Sequence, residues 1–216
     1  MKLNKKDFIE IEFTARIKNG DIFDSNIKED LKKANLDIEA KPFILSLGEG
    51  MFLKGLEDFL INKEIGKYKI ELKPEEAFGL RNPRFIQMMP MKIFREQKMN
   101  PFQGAMFNFD GRIAKVLTVS GGRVMVDFNN PLAGKEVIYD VNILRKIEDI
   151  NEKTKSLINF LFRKDFKFNI KDNFITLDVE KPFVQFAELF KDKFKDLLDL
   201  NLEVKEAVEK TKENEI

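Results

Sequence analysis

Cysteine, histidine and tryptophan are all absent from this 216-residue chain, and the first two absences remove whole classes of chemistry. No disulfide, thiol nucleophile or thiolate metal site can form. A Ser-His-Asp triad, a His-bound zinc and an imidazole general base go with the histidine. No metal and no cofactor is expected. Long apolar runs are missing as well: no segment approaches the roughly 20 residues of a membrane span. Met1–Asp7 is basic but leads into no uninterrupted apolar stretch. Neither a signal peptide nor a membrane partner is expected, and the chain is expected to be cytoplasmic. Charge of one sign is lacking too. The net charge of +1 gives no basic field for nucleic acid.

What remains is a globular composition, 43% hydrophobic and 35% charged, in which 22 phenylalanines make up nearly all the aromatic content. Such a length allows one or two domains. The stretch Pro42–Leu60 is the most informative. Phe43, Leu45 and Leu47 alternate with Ile44 and Ser46, the period of a half-buried strand. Gly48-Glu49-Gly50 breaks that strand, and Phe52, Leu53, Leu56, Phe59 and Leu60 recur at helical spacing. A strand therefore turns sharply into a short apolar helix, which is either a core plug or the floor of an apolar pocket.

Upstream, Ile9, Ile11, Phe13, Ala15 and Ile17 alternate with Glu10, Glu12, Thr14 and Arg16. Asn19-Gly20 then predicts a hairpin returning through Ile22, Phe23 and Asp24. Residues 26–40 read as a surface loop with a helical turn near Ile27–Ala34. Downstream, Tyr68, Ile70 and Leu72 form another alternating run, and Pro74–Gly79 makes a charged corner that delivers Phe78. Met88, Met89, Met91 and Met99 crowd a segment followed by runs at Met106–Phe109, Arg112–Val119 and Arg123–Phe128, which predict a small all-β insertion. Val137, Tyr139, Val141 and Ile143 form a further strand. From Ile150 the pattern restarts: a helix near Leu157–Phe162, a hairpin around Lys171-Asp172-Asn173, one amphipathic helix from Pro182 to Leu198, and a last strand at Leu200–Val204. The charged end after Glu206 is expected to fray.

No nucleotide motif survives inspection. Gly48-x-Gly50 lacks the third glycine of a dinucleotide fingerprint, since Leu53 stands there, and Gly134-Lys135 is followed by Glu136 where a P-loop needs Ser or Thr. The specific constellation is instead Phe23-Asp24, Phe43 with Gly48–Glu57, Ala77-Phe78-Gly79, Asn129–Lys135 and Tyr139. In this order and spacing it resembles the FKBP-type peptidyl-prolyl isomerases over residues 6 to 149. It is most similar to their SlyD-like branch and the long archaeal members, which also carry a C-terminal module of this size. The resemblance implies an α+β fold. In it an FKBP-like antiparallel half-barrel (1–86 and 129–149) wraps on a short helix, with an inserted small β domain (the insert-in-flap chaperone domain, 87–128) and a C-terminal α+β module (150–216). It further implies catalytic roles for Asp24, Phe78 and Tyr139, and substrate binding by Phe13, Phe23, Phe43, Met51, Phe52, Leu53 and Leu56. Partners would be unfolded or nascent proline-containing polypeptides, and the Phe-rich C-terminal module suggests a homodimer or a second client surface. Three positions depart from the family pattern. Asn130 replaces a histidine, and Phe13 and Phe78 replace tyrosines, so a hydrogen bond from position 78 to substrate is lost. The alternative to an isomerase with chaperone activity is a holdase or assembly scaffold that retains the fold without catalysis.

Overall fold

The computed structural model describes residues 2–207; most of the end expected to fray lies outside them. The first sheet is built on β1 (Phe8–Ile17). Its alternation turns Ile9, Ile11, Phe13 and Ala15 to one face, and all four are buried. One edge of β1 takes two partners, β2 (Ile22–Ser25) beside its second half and β3 (Phe43–Ser46) beside its first. Its other edge takes β9 (Val137–Lys146), and β4 (Gly66–Leu72) lies beyond that; every pairing is antiparallel. Asn19 occupies the left-handed region at φ 59°, as the predicted tight turn needs. Between β2 and β3, α1 (Lys28–Lys33) buries only Leu31.

The short helix α2 (Lys54–Leu60) plugs the concave face with Leu56 and Leu60, each contributing about 1.5–3 kcal/mol by burial. Gly55 permits that approach. A Cβ there would lie 2.7 Å from the Glu76 carbonyl oxygen and 3.0 Å from a Leu72 methyl.

Between β4 and β9 the chain makes a second sheet from β5 (Ile86–Pro90), β6 (Met106–Phe109), β7 (Arg112–Ser120) and β8 (Arg123–Asp127), in the order β5-β8-β7-β6. This insertion is not all-β as the sequence predicts. The Met-rich stretch continues into a helix, α3 (Met91–Glu96), that drives Phe94 fully inside. The Phe94 ring meets the edges of Phe107 and Phe109 at 5.8 and 5.5 Å. Its core, with Ala114, Val116, Val124 and Val126, is separate from that of the first sheet.

The last part comprises α4 (Ile150–Phe162), the hairpin β10 (Lys167–Lys171) and β11 (Phe174–Val179), then α5 (Val184–Glu188), α6 (Lys191–Leu198) and β12 (Asn201–Glu206). Strand β12 runs parallel to β11, reached by a helical crossover. The single helix expected from Pro182 to Leu198 is broken at Leu189-Phe190. The break seats Phe190 against Phe162 and Phe186 at 5.5 and 5.1 Å. Most of the Phe-rich surface is thus consumed internally, leaving Phe174, Phe186 and Leu189 exposed.

The C-terminal part docks on the outer face of the first sheet. Phe8 and Ile147 are fully buried in its core and Ile44 packs against them. Ser156 Oγ donates to the Ile44 carbonyl at 2.7 Å, and Lys6 pairs with Asp196 at 2.5 Å. The Phe8–Glu10 end of the polar face of β1 is therefore covered. Glu10 is 9% exposed and accepts from Arg145 at 2.6 Å, while Arg145 also grips Glu152 of α4.

Candidate active site

The site is a row across the concave face of the first sheet. Ala15 pairs with Asp24 on β2 and with Tyr139 on β9, which in turn pairs with Ile70 on β4. Directly opposed residues share a face, so Asp24 and Tyr139 flank the small Ala15. The next inward positions along β1, Phe13 and Ile11, bring Phe43 of β3 alongside. Phe23 ought to point away, since it neighbours Asp24. It does not, because the β1–β2 register shifts at Ala15/Arg16. That irregularity leaves Phe23 as an extra residue, and such bulges re-aim side chains. Its ring stands 6.1 Å from Tyr139 and 5.7 Å from Phe78.

The ten residues singled out in the sequence converge here. Phe13, Met51, Leu56 and Tyr139 are buried, and Phe23, Phe43, Phe52, Leu53 and Phe78 are half-buried against them. Phe52 is central, at 5.0 Å from Phe13, 5.1 Å from Phe43 and 5.6 Å from Tyr139. Tilted and edge-on ring contacts of this kind contribute about 0.5–1.5 kcal/mol each beyond burial. The result is a cup of rings with one carboxylate on its rim and one phenol in its wall.

Burial pushes the Asp24 carboxyl above the usual carboxylate range, although the Ser25 backbone N–H works against it. Tyr139 is pushed up as well, by burial first and by the negative charge of Asp24 second. The phenol therefore keeps its proton and remains a hydrogen-bond donor. Phe13 and Phe78 contribute no hydroxyl, which leaves Tyr139 as the only ring donor of the cup.

Two supports carry no role in the sequence reading. Glu57 is 1% exposed, and its carboxylate accepts from the backbone N–H groups of Phe52 at 2.6 Å and Gly50 at 3.0 Å. It folds the Gly48–Phe52 loop over α2, so that Phe52 enters the cup. A legible signal existed: Glu57 sits four residues after Leu53, on the apolar stripe. Asn26 accepts from Phe13 N–H and donates to the carbonyls of Ile11 and Lys41, and no sequence pattern marks it. Glu57→Ala leaves two N–H groups without partners, at about 1–3 kcal/mol each. Urea unfolding should show a loss of that size, and isomerisation should fall with it because Phe52 is released. Unchanged stability and rate would remove Glu57 from this role.

The insertion is fastened where it leaves the cup. Asp127 pairs with Arg81 and accepts from the Asn129 backbone and side-chain N–H groups at 2.9 and 2.6 Å. Asn129 also exchanges hydrogen bonds with the Asn82 backbone at 2.8 and 3.0 Å. Burial opposes ionisation of Asp127, but the bonds from Asn129 and Arg81 outweigh it and hold the carboxyl below its usual range. Gly134 N–H donates to the Gly79 carbonyl at 2.8 Å, bracing the turn that presents Phe78.

A family model described as FKBP-type peptidyl-prolyl cis-trans isomerase matches residues 1–101, and one described as the FKBP26 IF domain matches residues 87–132. The SlyD FKBP-type peptidyl-prolyl cis-trans isomerase of Treponema pallidum is 30% identical over 171 residues, covering 76% of this chain and 88% of that protein. This chain belongs to the FKBP-type peptidyl-prolyl cis-trans isomerase family. The short-type peptidyl-prolyl cis-trans isomerase of Methanocaldococcus jannaschii is 29% identical over 145 residues, 65% of this chain and 92% of that protein. The SlyD protein of Haemophilus influenzae is 29% identical over 150 residues, 67% of this chain and 72% of that protein. The FKBP fold thus accounts for the half-barrel, the plugging helix and the ring-lined cup. Among the described residues, no helix is long and apolar enough to cross a membrane.

Proposed function

We propose that this FKBP-type isomerase turns over X–Pro bonds of unfolded or partly folded polypeptides in the cup around Phe52, and that residues 87–128 hold those chains as a chaperone domain. The observation that carries the reading is the row Asp24–Ala15–Tyr139 closed by aromatic rings. On this reading the isomerase domain is 1–86 with 129–149, and 150–216 is a C-terminal module. Self-association of that module would use its exposed Phe174, Phe186 and Leu189.

Rotation about X–Pro loses amide resonance, against a barrier of roughly 18–20 kcal/mol. The twisted amide has given up the polarised O⁻–C=N⁺ form and is less dipolar than the planar one. Moving it from water into an apolar cup costs less than moving the planar amide, so the cup favours the transition state. The prolyl ring packs on Phe52 and Tyr139 between Phe13 and Phe23. Ionised Asp24 opposes the planar amide's carbonyl dipole, and the Tyr139 hydroxyl donates to a carbonyl released by rotation. Phe78 supplies only an apolar edge. The client side of the insertion is its outer surface, where Met88 and Met125 oppose each other across β5–β8. Met88, Phe102, Met106 and Ile113 are exposed on the insertion. Thioethers adapt to varied apolar partners.

Asp24 supplies the test. Its carboxyl has a folded-state pKa above the ordinary 3.8, so the folded protein takes up this proton more readily than the unfolded chain. Asp24 therefore costs stability at neutral pH, and the cost is relieved as pH falls through the raised pKa. Asp24→Asn should fold at least as stably as wild type at neutral pH, yet isomerise an X-Pro peptide about tenfold more slowly, roughly 1.4 kcal/mol of barrier. Wild-type activity, followed by exchange NMR, should fall with acid at a midpoint above 3.8, and Asp24→Asn should lack that limb. Equal rates and equal pH profiles would overturn the assignment of Asp24.

A further inference from the structure

A cleft of about 620 Å³ opens between β3 and α4, where the C-terminal module meets the isomerase sheet. That is the size of a small-ligand or peptide subsite. Phe43 and Met51 line it and also belong to the prolyl cup. The cleft thus shares two wall residues with the cup and lies beside it at the outer edge of β3. The Phe43 ring lies 5.1 Å from that of Phe52, about one or two residues of extended chain from the prolyl position.

Its walls suit a polypeptide. On the β3 side, Ile44 turns its carbonyl outward to Ser156. In an antiparallel ladder a residue's N–H and C=O point the same way, so the Ile44 N–H faces the cleft too. On the α4 side Lys155, Asn159 and Arg163 recur every four residues along one exposed face. Arg145 at the base is committed to Glu10 and Glu152, and Lys41 at the mouth pairs with Glu39 at 2.7 Å. Lys155 and Arg163 make no ion pair among the described residues, and Arg163 stacks on Phe160 at 5.5 Å. Asp165 is the single lining carboxylate not engaged by Arg145, and its field acts on Lys41. Arg145 offsets only one of its two carboxylates, so the lining as a whole is close to neutral, and the positive charge is concentrated on the exposed α4 wall at Lys155 and Arg163.

Resting on the isomerase reading, we propose that this cleft binds the stretch of substrate polypeptide flanking the X–Pro bond, in extended form and with a preference for an acidic side chain. The C-terminal module thereby forms one wall of the substrate site.

The test compares a capped X-Pro tetrapeptide with the same core lengthened on either side by about six residues, enough to span roughly 20 Å. The added residues carry either Glu or Lys. For the full-length protein, kcat/KM should be about tenfold higher on one of the Glu-extended peptides than on the tetrapeptide, and the advantage should shrink with salt. The Lys extension should give less. Asn159→Trp, which fills the cleft from an exposed position, should remove the advantage and leave the tetrapeptide unchanged. Lys155→Glu with Arg163→Glu should reverse the Glu-over-Lys order, and it tests the same point should the tryptophan variant fail to fold. If wild type isomerises the tetrapeptide but gains nothing from extension, the cleft proposal fails and the isomerase reading stands. An advantage that persists in both variants means the flank is read elsewhere, the insertion included, and also overturns it. If wild type isomerises neither peptide, the isomerase reading falls and the cleft proposal with it.

Discussion

Excising residues 88–125 and closing β5 onto β8 with a tight turn should leave isomerisation of a short X-Pro peptide within about tenfold of wild type, roughly 1.4 kcal/mol of barrier. The same change should nearly abolish catalysed refolding of a proline-limited protein and suppression of its aggregation. The cut is possible because the insertion's core around Phe94 is separate from the core beneath the cup. It also spares the Ile86–Asp127 pair and the Arg81–Asp127–Asn129 clamp that fixes the stem. The difference between substrates follows from capture. A peptide in excess needs only the cup, whereas a dilute unfolded chain must first be held. Two linked weak sites make the second contact intramolecular, and avidity then rises by around 10²–10⁴ without a new contact. Refolding assays on the two forms at matched concentration decide the matter. Refolding untouched by the excision would reduce the insertion to decoration. A protein that only holds its clients would be inert on the peptide in both forms.

Phe8→Ala should cost about 3–5 kcal/mol of stability, as other buried Phe truncations do, and its effect should be felt at two places. The residue begins β1 of the isomerase sheet, yet its ring is 1% exposed within the core of the C-terminal module, beside Ile147 and Leu157. Loss of the ring should loosen the module, so hydrogen exchange should quicken along α4 and α6. The cup should respond as well. Lys193 of α6 pairs with Glu49, inside the same Gly48–Phe52 loop that Glu57 holds from below. Peptide isomerisation should therefore drop even after correction for unfolded protein. A destabilised variant whose exchange changes only within the C-terminal module, with an unaltered rate per folded molecule, would show that the module is a passive passenger.

The period-two and helical patterns sufficed for the strands and helices of the half-barrel. Strand β1 and helix α2 fall where Ile9–Ile17 and Leu53–Leu60 place them, because each element buries one face and that face is written locally. The identity of the cup residues was also legible. Asp24, Phe52 and Tyr139 stand in an order and spacing that resemble the family's, and folding brings them to one face. Three features were not legible: one depends on strand register, which alternation does not specify, and two depend on contacts distant in sequence. Alternation alone sends Phe23 and Asp24 to opposite faces, and only the register against β1 creates the irregularity that turns both inward. The polar side chains of β1 look solvated from their alternation, yet Glu10 is buried because Arg145 arrives from β9, 135 residues later, to neutralise it, and Glu152 of α4 holds the same guanidinium. In the same way, the stripe Lys155–Asn159–Arg163 reads as an ordinary solvated helix face. It becomes the wall of a cleft only because Phe8, Ile44 and Ser156 fasten α4 beside the prolyl cup.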